Sequence, residues 1–199
     1  MRWQIASIWD IRSKLYDLCE ASELRRGPSK TALFRDMDGR VLFVAVGTGV
    51  DIRHFPPGLD ITAIDISAAM LCRAEARRKR YPGVLHFVRA DALNLCFADE
   101  SFDTAVTSCT MCSVPDPVRA LRELRRVLRP AGQLLMFEHV RSRNRVLGLA
   151  LDIMNLWTRL GGTEMNRDTL GNVLTAGFRI RRVTSVYLDI ILSIHAAKA

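Results

Sequence analysis

The sequence predicts an α/β protein whose seven-stranded sheet has five parallel strands and a C-terminal antiparallel pair, with helices on both faces. Strand-like runs fall at 40–46 (RVLFVAV), 60–65 (DITAID), 84–88 (VLHFV), 102–108 (FDTAVTS) and 133–139 (QLLMFEH). Several are nearly continuous apolar segments, the pattern of strands covered on both faces of a parallel sheet. Helical patterns separate them at 67–80 (SAAMLCRAEARRKR) and 116–129 (DPVRALRELRRVLR). Strand, helix, strand in succession implies right-handed crossovers in an open sheet. Two further strand candidates, 178–185 and 187–196, lie too close for a helical crossover, so they pair antiparallel if they pair at all.

The remaining elements follow from punctuation. Residues 4–36 read as one or two helices broken around Gly27-Pro28. Ser67 is a candidate cap for the helix at 67–80. Asp116 is a cap with Pro117 at the first helical position, and that helix stops before Pro130. An apolar helix spans 145–160 (RVLGLALDIMNLWTRL), and a shorter one runs over about 167–176 before Gly177. With no internal repeat or linker, one domain over 1–199 is expected. Its parts are an N-terminal helical cap (1–37), a ligand-binding core (38–140), a helical insertion (141–177) and the strand pair (178–199).

Composition narrows the class. The 199 residues carry 29 Lys+Arg against 21 Asp+Glu, a net charge of +8, with 49% hydrophobic residues. That balance excludes a disordered chain, and no apolar run reaches the roughly 20 residues a membrane span requires. Of the basic residues 25 are Arg and 4 are Lys, a skew better explained by base composition than by phosphate contacts. The set Arg122, Arg125, Arg126 and Arg129 has the spacing of a solvated helix face. Asp10, Arg12 and Lys14 interrupt any signal-peptide core. Five cysteines without such a signal imply free thiols in a reducing compartment. The expected location is cytoplasmic, with contact to an anionic membrane left open. Cys109 and Cys112 form a C-x-x-C, but it lacks the second pair or nearby histidines of a zinc site, so no metal is expected.

Chemistry concentrates at three strand ends. The first run ends in VAVGTGVDI, where Gly47 and Gly49 permit a tight turn and close approach of a ligand. A dinucleotide fingerprint would need a third glycine where Ile52 stands. Asp65 ends the second run, positioned to accept both hydroxyls of a ribose, and Asp91 and Ala92 follow the third. Three tips in order suggest a nucleoside without phosphates at the carboxyl edge of the sheet.

As a set, GRVLFVAVGTG, ITAIDISAAML, VRADALNLCFADESFDTAVTS and VPDPVRALRELRRVLRPAGQLLMFEH resemble the successive motifs of class I S-adenosylmethionine-dependent methyltransferases, over about residues 38–180. The resemblance is nearest to the small bacterial quinone C-methyltransferases and phospholipid N-methyltransferases. EHVRS and GGTEMNRDTLGNVLTAGF are similar to a methyltransferase-like subgroup acting on lipids and alkyl thiols. It implies a Rossmann-like fold, S-adenosylmethionine as cofactor and S-adenosylhomocysteine as product. By that resemblance Val46, Gly47, Thr48 and Gly49 line the methionine and ribose, and Asp65 holds the ribose hydroxyls. Ile66 and Met70 flank the adenine, Asp91 and Ala92 contact its edge, and Ser108 and Cys109 border the methionine end. The chain departs from the family at Phe43, where an acidic residue is usual, and at Ala45 and Ala131, where glycines are. Asp51 is a candidate substitute for the acidic residue, whereas the two alanines are expected to be tolerated.

Methyl transfer from a sulfonium needs alignment and exclusion of water more than a catalytic side chain. Candidate bases are Tyr16, for which Trp9-Asp10 is a rival match, and His139 at the end of the fifth run, which also reads as a buried histidine. The substrate region would come from the N-terminal helices and the insertion. The stripe Leu147, Leu149, Leu151, Ile153, Met154, Leu156 and Trp157 reads first as core. Its alternative is an apolar acceptor channel or a lipid-docking surface, helped by Arg2, Arg12, Arg141, Arg143 and Arg145. The expected partner is a small-molecule or lipid acceptor, with a phospholipid amine ahead of thiol and quinone. Natural-product methylation and a non-catalytic cofactor-binding role are the alternatives. Nucleic acid is not expected, because SCTMCSVPDP stands where an Asn/Asp-Pro-Pro-Tyr/Phe signature would follow the fourth strand.

Overall fold

The computed structural model describes residues 2–16 and 23–198, with side chains described over 6–13 and 26–198. Two helices, α1 (Arg2–Tyr16) and α2 (Glu23–Phe34), precede β1 (Arg40–Val44). A short 3-10 turn at Val50–His54 then leads to β2 (Asp60–Asp65), α3 (Ala68–Arg78), β3 (Val84–Arg89) and β4 (Phe102–Ser108). α4 (Pro117–Val127), β5 (Leu128–His139), α5 (Arg145–Thr158) and α6 (Thr169–Thr175) come next, and β6 (Phe178–Tyr187) and β7 (Ile191–Lys198) close the chain. The strands form one sheet in the order β3-β2-β1-β4-β5-β7-β6. The first five are parallel, and β7 pairs antiparallel with both β5 and β6. The Rossmann-like expectation therefore holds in the number and direction of the strands, although β7 begins at Ile191 rather than at 187.

Capping sets the helices as the sequence implies. Ser67 accepts the Met70 amide at 3.1 Å, and Asp116 accepts that of Arg119 at 2.9 Å, each satisfying an otherwise orphaned donor. One face of the sheet buries Leu121, Leu124 and Val127 of α4 with Val173 of α6. The other buries Leu33 and Phe34 of α2 with Ile52 and Phe55 of the 3-10 turn.

Four expectations are corrected. α2 runs through Gly27-Pro28 rather than breaking there: tertiary burial of Leu33, Phe34 and Lys30 overrides the lost backbone bond. Ala45 (φ 57°) and Ala131 (φ 62°) occupy the left-handed region, so the two alanines stand in strained positions. Of the stripe on α5 only Leu151 is buried, the rest being exposed. β5 begins five residues early, at Leu128, with a register shift between Phe102 and Thr104 of β4. Among the described residues no helix is long and apolar enough to cross a membrane.

Candidate active site

A pocket of about 460 Å³ opens at the carboxyl ends of β1, β2, β3 and β4, the crevice where open α/β sheets bind ligands. Eight of the eleven residues expected around the cofactor line it: Gly47, Asp65, Ile66, Met70, Asp91, Ala92, Ser108 and Cys109.

Asp65 is the centre of the charge. Its carboxylate accepts the Gly47 amide at 2.9 Å and the Ser67 amide at 2.9 Å. Burial raises its pKa; the two amides oppose the rise, and Asp10 adds to it. A buried, twice-anchored carboxylate on the pocket wall has the chemistry to take neutral hydroxyl donors, such as those of a ribose. Gly47 sits at φ +57°, and a side chain there would meet nothing within 4 Å. The space above this turn is open for a ligand to lie against bare backbone.

On the adenine side, Arg89 donates to the Ile66 carbonyl at 3.1 Å, fixing the backbone that presents the Ile66 side chain. Asp91 accepts the Leu93 amide at 2.9 Å. At the opposite end, the Ser108 hydroxyl is buried with no hydrogen-bond partner among the described residues. A buried orphan hydroxyl on a pocket wall is a ligand contact in waiting. Cys109 follows in the left-handed region (φ 52°), and burial pushes its thiol up to about 12. Cys112 donates its thiol to the Cys109 carbonyl at 3.2 Å, and its pKa is also raised by burial. Burial thus disfavours the thiolate at both.

Three expected residues do not border the pocket. Val46 belongs to the core on the α2 face. Thr48 is fully buried, its carbonyl accepting from Arg77 at 2.9 Å. Gly49 (φ +81°) lies against α3, where a Cβ would stand 3.1 Å from that of Ala74. The missing side chain lets α3 pack closely against this turn.

The departure at position 43 has a structural cause. Phe43 packs with Phe55 at 4.9 Å and Phe34 at 5.8 Å between ring centroids, on the face away from the pocket. Asp51 does not replace a missing carboxylate, because Lys30 holds it in a buried ion pair at 2.7 Å. Glu138 is also committed: it is fully buried, accepts the Thr110 and Met111 amides, and is raised by burial to about 7.

The expected bases fare unequally. Tyr16 ends α1, and its side chain lies outside the described residues. Trp9, the rival match, is on the pocket wall with the Arg12 guanidinium 4.7 Å from its ring centre. Its neighbour Asp10 accepts from the Ser67 hydroxyl and, at 3.3 Å, from the Ala69 amide, tying α1 to the start of α3. His139 is not on the pocket wall. Burial, with Arg26 and Lys30 nearby, lowers its pKa to about 4, and its Nδ1 has no partner among the described residues. Sequence reasoning also missed the wall formed by Thr110, Ser113, Val114, Pro115 and Arg119. The signal was the SVPDP segment, visible only as a helix start.

Against known proteins, residues 42–136 match the methyltransferase domain family. That stretch is thus similar to a methyltransferase domain, and the chain shares the fold of S-adenosylmethionine-dependent methyltransferases of class I. It is 37% identical over 103 residues to a phosphatidylethanolamine N-methyltransferase of Cereibacter sphaeroides, covering 51% of each chain. It is 40% identical over 100 residues to a demethylmenaquinone methyltransferase of Renibacterium salmoninarum, covering 50% of this chain and 40% of that one. It is 30% identical over 150 residues to the thiol S-methyltransferase TMT1B of Rattus norvegicus, covering 69% of this chain and 59% of that one. The chain thus spans about half the length of the curated relatives it matches. The fold extends further: a methyltransferase structure from Aquifex aeolicus superposes with a TM-score of 0.67 at 16% identity, covering 94% of this chain and 98% of that one. The residues of the methyltransferase domain fit its cofactor, by the Asp65 carboxylate, the open face of Gly47 and the orphan Ser108 hydroxyl.

Proposed function

We propose that the chain methylates a small or lipid-like apolar acceptor, a phospholipid amine ahead of a thiol or quinone. The observation that carries the reading is the buried Asp65 carboxylate on the wall of a strand-end pocket of about 460 Å³. S-adenosylmethionine, when bound, supplies an electrophilic methyl on a sulfonium. The chain's part is to orient and to keep water out. Asp65 holds hydroxyls, Gly47 lets the backbone approach, Ile66 and Met70 give an apolar slot, and Trp9 closes the wall from α1. The relatives named above act on an amine, a quinone and a thiol, which supports an apolar acceptor class. His139, held neutral by burial, is proposed as a positioning residue at the end of β5 rather than as the base, since it does not border the pocket.

A second reading is a cofactor-binding protein without turnover, favoured by Phe43 filling the place of a carboxylate. Calorimetric titration of S-adenosylhomocysteine into the chain and into Asp65→Asn and Asp65→Ala separates these readings from none at all. Saturable binding by the parent, weakened at least about tenfold in both variants, is expected. No binding by the folded parent overturns both readings. Labelled methyl transfer to phospholipid vesicles, alkyl thiols and quinols then decides between them, binding without transfer to any acceptor leaving the second.

A further inference from the structure

α5 is folded inside out relative to an ordinary surface helix. The positions it buries are Gly148, Leu151 and Asn155, four residues or fewer apart. Its outward stripe is Val146, Leu149, Ile153, Leu156 and Trp157, continued by Leu160 in the turn that follows, and these are 56–80% exposed. The spacing places them on one continuous face. Polar bonds hold the helix: buried Asn155 accepts the Met165 amide at 2.9 Å, and half-exposed Asp152 beside it pairs with Arg141 at 2.8 Å and takes Asn166 at 3.0 Å. These bonds fix which side of α5 faces out, so the apolar stripe is not a helix that has rolled the wrong way.

The rim of the face is basic. Arg145 lies one turn before Leu149 and Arg159 three residues after Leu156. Arg143 precedes the helix, its amide donating to Asp189 at 2.7 Å. Neither the Arg143 nor the Arg145 guanidinium makes an ion pair with an acidic side chain among the described residues. Arg159 meets Glu164 at 3.4 Å but stays solvent-facing. An apolar stripe of Leu, Ile and Trp with arginines at both ends fits a surface of acyl chains beneath anionic headgroups. Two copies meeting through the same face would bring like charges together, and the chain already carries +8.

The face stands beside the mouth of the pocket. Arg12, stacked on the pocket residue Trp9, donates to the Gly161 carbonyl directly after α5. On the other side, Glu164 donates its amide to Cys112 at 2.7 Å, and Arg167 reaches the Met111 and Val114 carbonyls at 2.8 and 2.5 Å. The segment after α5 is thus fastened to both α1 and the 110–115 wall.

We infer that the outward face of α5 docks the chain on an anionic phospholipid surface, with the methyltransferase pocket opening beside the lipid. The docking does not rest on the acceptor reading, and its test reads binding alone. The full chain is sedimented with vesicles of phosphatidylcholine and of phosphatidylcholine with phosphatidylglycerol. Binding to the anionic vesicles, weakened by salt, is expected. Leu149→Ser with Trp157→Ser, and separately Arg143→Glu with Arg145→Glu, each lower it at least about tenfold while the melting temperature is kept. Should the first pair melt early, Leu156→Ser alone replaces it. Brominated lipid quenches the parent's fluorescence but not that of the bound Trp157→Phe variant to the same depth. Failure of the parent to bind anionic vesicles overturns the inference, as does binding unchanged in both variants. A dimer dispersed by the Leu149/Trp157 pair, without vesicle binding, assigns the face to a second copy instead.

Discussion

α4 and α5 carry apolar residues at the same helical spacing and use them in opposite ways. α4 buries Ala120, Leu121, Leu124 and Val127 against the sheet and turns its arginines outward, where Arg126 bridges Glu123 and Asp99. α5 buries a glycine, one leucine and an asparagine and leaves its large apolar side chains in the open. Periodicity reports that a stripe exists; what covers it depends on which side has something to hold. On α4 the sheet offers apolar surface. On α5, buried Asn155 finds a partner in the Met165 amide, and a buried polar group that is bonded stays there because losing the bond is costly.

The contrast can be broken most sharply by truncation. Leu124→Ala should lower unfolding free energy by about 2–5 kcal/mol, whereas Leu156→Ala should change it by no more than about 0.5 kcal/mol. Urea unfolding of the two variants compares them directly, and equal losses would mean that α5 is packed like α4.

A second test lies at His139, where β5 hands over to the insertion and the Thr169 hydroxyl meets its carbonyl at 3.2 Å. Its pKa falls from 6.5 to about 4 on folding, so the unfolded chain binds this proton more tightly than the folded one. The stability it confers is whole above pH 6.5 and is lost as pH falls through about 4, on the order of 3 kcal/mol at most. His139→Gln should flatten that part of the profile of urea midpoint against pH.

Smaller again, Asn155→Ala should cost about 1–3 kcal/mol by orphaning the Met165 amide. If it costs nothing, polar bonds do not hold α5. The smallest effect is expected at two left-handed positions: Ala45→Gly and Ala131→Gly should each raise stability by about 0.5–1 kcal/mol, since glycine relieves the strain. Thermal melts of the single and double variants would show it.

The strands and their tips were legible because their signals are local. The near-continuous strands, the caps Ser67 and Asp116, and Asp65 at a strand end each follow from neighbours in the chain. What stayed hidden needed distant atoms. Gly47 and Gly49 look alike in sequence, yet one faces open space and the other faces Ala74 of α3. Ala45 and Ala131 look harmless until their φ is known. Asp51 looks available until Lys30, 21 residues earlier, is found on it. Phe43 looks like a lost carboxylate, but its ring belongs to a cluster gathered from α2 and the 3-10 turn.

The clasp between α1 and α3 sets a clock. Asp10 works as a cap supplied from outside the helix it caps, receiving the Ser67 hydroxyl and the Ala69 amide, while Trp9 beside it forms pocket wall. Lifting α1 costs a capping interaction of about 1 kcal/mol together with the contacts of one indole ring. Asp10→Ala should therefore loosen the Trp9 side of the pocket and leave its floor unchanged, read as faster dissociation of bound S-adenosylhomocysteine.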